Sequence, residues 1–123
     1  MATVNLTADT FEKAVEDSSI LLVDFWAAWC GPCRMFGPVY EKASEQHPDL
    51  TFGKVDTEAE QVLAAQAGIT SIPTLMVIRD GVLVFSQAGA LPASALEDLI
   101  SQVRALDMDA VHAQIREQQG ANA

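Results

Sequence analysis

The five residues Trp29-Cys30-Gly31-Pro32-Cys33 constrain this chain more than any other stretch, because both of its cysteines lie within them. Residues 20–26, just before them, form an apolar run with little alternation, which predicts a central strand covered on both faces. Residues 31–46 read as a helix that begins inside the motif. The free N–H groups and the dipole of a first helical turn favour a thiolate on Cys30. Cys33, one turn further on, can close a disulfide with it.

Composition and charge exclude several classes of partner. Half of the residues are apolar, which suits one compact domain, and no stretch approaches the ~20 apolar residues of a membrane span. A formal charge of −10 would repel nucleic acid and anionic membranes, so we expect neither as a partner. Residues 1–7 lack the basic and hydrophobic regions of a secretory signal, and we therefore expect a cytoplasmic location.

The remaining patterns predict an α/β domain in the order β-α-β-α-β-α-β-β-α, with a mixed sheet and helices on both faces. Thr7 is a candidate N-cap for the first helix, and Asp80-Gly81 fits a hairpin turn between the last two strands. The predicted strands are 3–6, 20–26, 50–56, 74–79 and 82–86, and the predicted helices are 7–16, 31–46, 58–67 and about 92–106.

The last seventeen residues, 107–123, are expected to form an extension to a domain of residues 1–106. At about 100° per residue, the apolar stripe of 96–106 and that of 108–115 point about 110° apart on one helix, so a straight helix could not bury both. The chain should bend near Asp107 or Asp109, either of which can cap a new helix. We expect a short peripheral helix to about Gln118, with a frayed end.

Further residues around the cysteine motif reveal a family resemblance. The resemblance depends on a set of residues and on their spacing from the cysteine pair. They are Asp24-Phe25-Trp26-Ala27 before the pair, Pro38 inside the helix, Lys54 in the third strand, Ile72-Pro73-Thr74 and Gly89-Ala90. With these spacings the chain resembles cytosolic thioredoxins of the Trp-Cys-Gly-Pro-Cys type over residues 4–106. The resemblance implies the thioredoxin fold, a central mixed five-stranded sheet with four flanking helices, and a cis peptide bond before Pro73. The C-terminal helical extension lies outside it.

The cysteine chemistry can be assigned to individual residues. Cys30 is first in the motif and nearest the helix end, so we expect it to be exposed and to attack, with Cys33 covered and acting as the resolving thiol. Gly31 and Pro32 stand where the oxidising members of the family carry a histidine that stabilises the thiolate, and they favour a reductant. The pair could instead be half of a zinc site, but zinc needs four ligands, and the two histidines are far apart in sequence with no second C-x-x-C. We therefore expect no metal.

Asp24 is a candidate proton-transfer residue. In an apolar strand its carboxyl loses hydration, which raises its pKa above the usual value of about 3.9. The resemblance implies that Asp24 lies beneath Cys33 and exchanges protons with that thiol, with Lys54 near Asp24. The alternative is a structural aspartate bonded to the backbone or to Lys54.

The resemblance also implies a peptide-binding surface beside the thiols. Its small apolar residues and open backbone suit an extended peptide that docks by strand-like hydrogen bonds. The candidate substrate-binding residues are Trp29, Ile72, Pro73, Gly89 and Ala90. Ser71 and Thr57 depart from residues common at their positions in the family, and target preference is therefore left open. Other large side chains, Trp26, Met35, Phe36, Met76 and Phe85, are expected to pack in the core, and His47 and His112 to lie on the surface.

The function that the resemblance implies is general protein-disulfide reduction through the Cys30–Cys33 disulfide. No cofactor is bound, and NADPH is used only indirectly, through a thioredoxin reductase. Targets are proteins with disulfides, of classes such as ribonucleotide reductase, peroxiredoxin and methionine sulfoxide reductase, and a monomer is expected. One alternative is a thioredoxin-fold binding module that works independently of redox state. An oxidase or isomerase is disfavoured by Gly31-Pro32.

Overall fold

The fold is built on one mixed sheet of five strands in the order β1-β3-β2-β4-β5, as seen in a computed structural model that describes residues 2–121. This confirms the predicted α/β architecture. Strands β1, β3 and β2 are parallel to one another, β4 is antiparallel to β2, and β5 is antiparallel to β4. The strands are β1 (Thr3–Asn5), β2 (Ile20–Trp26), β3 (Thr51–Asp56), β4 (Thr74–Arg79) and β5 (Val82–Ala88).

Helices cover both faces of the sheet, and an additional helix follows at the C-terminal end. None of the helices in residues 2–121 is long and apolar enough to cross a membrane. The helices are α1 (Phe11–Asp17), α2 (Gly31–Gln46), α3 (Gln61–Gln66), α4 (Ala93–Arg104) and α5 (Met108–Ala121).

Strand β2 lies at the centre of the sheet, as its apolar run predicts. Its first six residues are buried, and alternate side chains point to opposite faces. Leu22 packs with α2 and α4 on one face, in a core that includes Phe36 and Leu96. Val23 packs on the other face in a second core, with Leu63 of α3. By the same alternation, Asp24 points to the face covered by α2.

Two helices begin later than their sequence patterns predict. At α1 the Thr7 N–H donates to Thr10 Oγ1 at 2.9 Å, so residues 7–10 form a turn and the helix starts at Phe11 instead of following Thr7. At α3 the Asp56 carboxylate accepts the N–H of Glu58 at 2.9 Å. That turn delays the helix to Gln61.

The joint between α4 and α5 is where the sequence predicts a bend. One guanidinium nitrogen of Arg79 donates to the carbonyls of Val103 at 2.6 Å and Leu106 at 3.0 Å, which ends α4. Asp107 Oδ1 accepts the N–H of Ala110 at 3.2 Å and caps α5. The helix extends past Gln118 to Ala121, and the rest of the expected frayed end, residues 122 and 123, lies outside the described residues.

The packing predictions are partly wrong. Phe36 and Met76 are buried, but Met35 is 75 % exposed because it lies off the sheet-facing side of α2. The side chain of His47 is 18 % exposed and contacts Glu97 at 2.8 Å, so it is largely buried and not a free surface residue. His112 is also partly covered.

Candidate active site

The two cysteines form a disulfide at the start of α2, with their Cα atoms 5.2 Å apart. Cys30 is the N-cap residue, and its Sγ accepts the N–H of Cys33 at 3.2 Å. Gly31 and Pro32 are exposed in the first turn, where the missing N–H of proline is tolerated because first-turn N–H groups lack helical partners. In the reduced chain the same N–H would point at the Cys30 sulfur, where it can donate to a thiolate.

Exposure does not distinguish the two cysteines in this disulfide state. Cys30 is 4 % exposed and Cys33 is 5 % exposed, so the expectation of an exposed Cys30 is wrong here. Both pack in a small cluster with Ala27 and Ile72. The difference between the cysteines is one of direction, because Cys30 lines an open groove whose walls do not include Cys33.

This groove, which we call the active-site groove, has a volume of about 570 Å³ and lies between the first turn of α2, helix α3 and the loop before β4. Its lining carries no charged side chain and includes two alanines and two isoleucines. The lining residues are Trp29, Cys30, Gly31, Pro32, Thr57, Gln61, Ala64, Ala65, Ile69, Thr70, Ser71 and Ile72.

Trp29 borders the active-site groove with 66 % of its surface exposed. Its indole N–H donates to Glu58 Oε1 at 2.5 Å, which fixes the ring at the groove edge. Sequence reasoning missed Glu58. Its position near Trp29 could have been inferred from the strand order. Strands β2 and β3 are parallel, so the residues that follow Trp26 and Asp56 lie at the same edge of the sheet.

The loop before β4 lies against the disulfide. The Ile72–Pro73 peptide bond is cis, as the resemblance implies, and the carbonyl oxygen of Ile72 is 3.8 Å from Cys30 Sγ. Pro73 is buried, and its carbonyl accepts the N–H of Gly89 at 2.8 Å. Gly89 has a φ of 108°, a conformation that favours glycine.

The predicted peptide-binding residues are therefore only partly brought together. Trp29 and Ile72 line the active-site groove, whereas Gly89 and Ala90 are exposed but do not belong to its lining. The groove extends instead over Ala64 and Ala65 of α3, which no sequence motif had indicated.

Asp24 is buried without a partner. It is 1 % exposed, and within residues 2–121 neither carboxylate oxygen accepts a hydrogen bond. Burial raises its pKa from 3.8 to about 6, and the positive charge of Lys54 opposes that rise. A structural aspartate tied to the backbone or to Lys54 does not match this environment.

Lys54 lies beside Asp24, as the resemblance implies. The two residues are register partners on β3 and β2, so their side chains share the face covered by α2. The Lys54 ammonium nitrogen lies 5.0 Å from the centre of the Trp26 ring, within range of a cation–π contact. In the part of the chain that the structure describes, no three His, Cys, Asp or Glu side chains converge as a metal site would require.

Comparison with known proteins gives consistent matches. The family model described as Thioredoxin matches residues 2–102. A Streptomyces coelicolor protein named "Putative thioredoxin 2" is 59 % identical over 118 residues, 96 % of this chain and 88 % of that protein. The thioredoxin of Bacillus subtilis is 40 % identical, with 83 % of this chain and 98 % of that protein covered. Among solved structures, a mutant thioredoxin from Halobacterium salinarum has a TM-score of 0.75 and 35 % identity, covering 81 % of this chain and 88 % of that one.

Proposed function

The chain belongs to the thioredoxin family and is a thiol-disulfide oxidoreductase, and within that chemistry we propose that it is a general reductant of protein disulfides, recycled by a thioredoxin reductase. The observation that carries the proposal is the Cys30–Cys33 disulfide at the N-terminus of α2, with Cys30 on the wall of an open, uncharged groove. A target disulfide on another protein can reach Cys30 from that groove.

In the first step the Cys30 thiolate attacks one sulfur of the target disulfide. The target S–S bond breaks, one target sulfur leaves as a thiolate, and a mixed disulfide forms between the other and Cys30. The Cys33 N–H and the helix dipole stabilise the attacking thiolate. Trp29 covers the edge of the groove and shields the reacting sulfurs from water.

In the second step Cys33 resolves the mixed disulfide. The Cys33 thiol gives its proton to the Asp24 carboxylate, and the resulting thiolate attacks Cys30 Sγ, which releases the reduced target. A carboxyl with a pKa of about 6 is mostly ionised at pH 7, yet it binds a proton far more readily than an ordinary aspartate. Lys54 keeps that pKa from rising further. The chain ends as the Cys30–Cys33 disulfide, and two electrons have passed to the target.

Target proteins would dock as extended peptides along the active-site groove. Ile72 presents backbone beside Cys30, and Gly89 and Ala90 offer small exposed surface next to Pro73. Thr57 and Ser71 line the same groove, so they are placed to influence target choice. Recognition through backbone and small apolar surface suits many targets, which include the ribonucleotide reductase, peroxiredoxin and methionine sulfoxide reductase classes.

The proposal extends to the electron source and the setting. Thioredoxin reductase would return two electrons from NADPH to the disulfide, and the chain would act as a cytoplasmic monomer without a bound cofactor. We assign all of this chemistry to residues 1–106, with 107–123 as an extension.

The test is reduction of insulin by this chain with NADPH and a bacterial thioredoxin reductase. We expect NADPH oxidation that needs both the chain and insulin, and that stops in a Cys30→Ser/Cys33→Ser variant. Absence of NADPH oxidation with a folded chain would contradict the assigned electron source. A biological role that survives the double variant would instead favour a redox-independent binding module.

A further inference from the structure

The loop beside the disulfide is held by a side chain to which sequence reasoning gave no role. Thr74, the first residue of β4, is 7 % exposed. Its hydroxyl donates to the carbonyl oxygen of Ser71 at 2.6 Å, across the cis Ile72–Pro73 bond. A second hydrogen bond, from the Gly89 N–H, holds the Pro73 carbonyl of the same loop.

The hydrogen bond sets the orientation of one peptide unit. The Ser71–Ile72 bond is trans, since the only cis bond among the described residues is Ile72–Pro73. In a planar trans peptide the C=O and N–H point in opposite directions. Because the Ser71 carbonyl points inward at the buried Thr74 hydroxyl, the Ile72 N–H points outward, on the side where Ser71 and Ile72 line the active-site groove.

The outward N–H is free to bind a partner. Within residues 2–121 the Ile72 N–H donates no hydrogen bond, although the neighbouring Ile72 carbonyl lies 3.8 Å from Cys30 Sγ. An unpaired N–H beside a reactive sulfur is the group that an extended target peptide would pair with through its own carbonyl.

We propose that Thr74 is a positioning residue for target docking: its hydroxyl fixes the Ser71–Ile72 peptide so that the Ile72 N–H faces the incoming target. The inference rests on the proposed reduction of protein disulfides, and it adds a determinant of target affinity. Thr74 does not touch the reacting sulfurs. Its loss should therefore weaken docking of a peptide backbone and leave the intrinsic reactivity of Cys30 unchanged.

The experiment uses Thr74→Val, which removes the hydroxyl and keeps the shape, with Thr74→Ser as the matched control that restores the donor. Each chain is reduced chemically and mixed with increasing insulin, without a reductase, and the rate of Cys30–Cys33 disulfide formation is followed. For Thr74→Val we expect the half-saturating insulin concentration to rise about fivefold, the effect of one hydrogen bond, with the maximal rate changed by less than about twofold. Thr74→Ser should return the half-saturating concentration to within about twofold of the parent value.

A second disulfide separates docking from thiol chemistry. Dithiodipyridine has no peptide backbone, so its reaction rate with reduced Thr74→Val should stay within about twofold of the parent rate. Equal losses toward insulin and dithiodipyridine, or failure of Thr74→Ser to recover, would overturn the proposed role. An unchanged half-saturating concentration in Thr74→Val would also overturn the role of Thr74, but it would not contradict the proposed reduction of protein disulfides. A parent chain that reacts with dithiodipyridine but not with insulin would overturn the proposed function itself.

Discussion

Helices α2 and α5 begin with the same capping hydrogen bond, but the residues that surround the two caps differ. At α2 the Cys30 sulfur accepts the N–H of Cys33 at 3.2 Å, and at α5 the Asp107 carboxylate accepts the N–H of Ala110 at 3.2 Å. In both helices the capping side chain binds the third residue of the helix. The cap alone therefore does not make a reactive centre.

The surroundings decide what each cap can do. Cys30 lines an open groove and its Sγ is 3.8 Å from the carbonyl oxygen of Ile72, and α2 covers the sheet face to which the buried Asp24 points. Asp107 is exposed, and its helix covers the edge of the sheet near β5. A helix N-terminus is therefore suited to redox chemistry where its cap is a sulfur beside an open groove, and elsewhere it only starts a helix.

The largest expected difference is in turnover. Cys30→Ser should lower the rate of insulin reduction at least about 1,000-fold, because a serine hydroxyl does not attack a disulfide at neutral pH. Asp107→Ser, at the matching cap of α5, should leave that rate within about twofold, since it keeps a capping side chain far from the sulfurs. The measurement is reductase-coupled NADPH oxidation, and a comparable loss in both variants would break the distinction between the two caps.

The second prediction concerns Asp24, the buried carboxyl on the sheet face that α2 covers. Asp24→Asn should slow resolution by Cys33 about tenfold at pH 7, because the proton acceptor that we propose for the Cys33 thiol is lost. It should also stabilise the fold. With a pKa of about 6 in the folded chain against an ordinary 3.8, ionising Asp24 costs up to about 3 kcal/mol of unfolding free energy.

The pH dependence of that gain follows from the direction of the shift. Well below the ordinary pKa of 3.8 the carboxyl is protonated in both the folded and unfolded states, so the asparagine gains nothing there. The parent chain loses stability as pH rises through the folded pKa of about 6, and the advantage of the variant is complete above it. Urea denaturation between pH 3.5 and 8 measures this, and a constant gain or a variant less stable at pH 7 would contradict a buried, unpaired Asp24.

Removal of α5 should have a smaller effect, on stability alone. Truncation after Leu106 removes Met108, which is buried, and this should cost about 2 kcal/mol and lower the melting temperature by about 5–10 °C. Arg79 still holds the end of α4 in the shortened chain. Insulin reduction at 25 °C should be unchanged. Loss of reductase-coupled turnover in a truncated chain that still reacts normally with dithiodipyridine would place α5 in partner recognition.

The smallest effect is expected at the second cap itself. Asp107→Ala removes the carboxylate that accepts the Ala110 N–H and should cost about 1 kcal/mol of unfolding free energy. Asp109→Ala is the matched control, because it removes a negative charge from the first turn of the same helix and leaves the capping hydrogen bond of Asp107 in place. Equal destabilisation by the two variants would indicate a helix-dipole effect and not a specific cap.

Local patterns in the sequence were enough to predict much of this molecule. The unalternating run of β2, the motif at the start of α2 and the break near Asp107 each depend on neighbours in sequence. The exposure of Met35 could also have been predicted, because the helical periodicity set by buried Cys33 and Phe36 places Met35 off the buried face of α2.

Contacts between distant segments were not predictable in this way. Residues 58–60 fit a helical pattern, but Glu58 binds Trp29 and Glu60 accepts the N–H of Ala8, contacts that span 29 and 52 residues. The extension of the active-site groove over α3 has the same origin. The match to the Streptomyces coelicolor protein covers 96 % of the chain, so it extends into α5, whereas the thioredoxin family model ends at residue 102.

The assignment of Cys30 as the attacking thiol and Cys33 as the resolving thiol is tested most directly by trapping. Cys33→Ser and Cys30→Ser chains are each incubated with insulin, quenched in acid and analysed by mass spectrometry for a mixed disulfide. We predict a stable adduct on Cys30 in the Cys33→Ser chain, because the groove leads to Cys30 and the resolving thiol is absent. Cys30→Ser should give less than about a tenth of that yield. Equal adducts in both variants, or more on Cys33, would contradict the account.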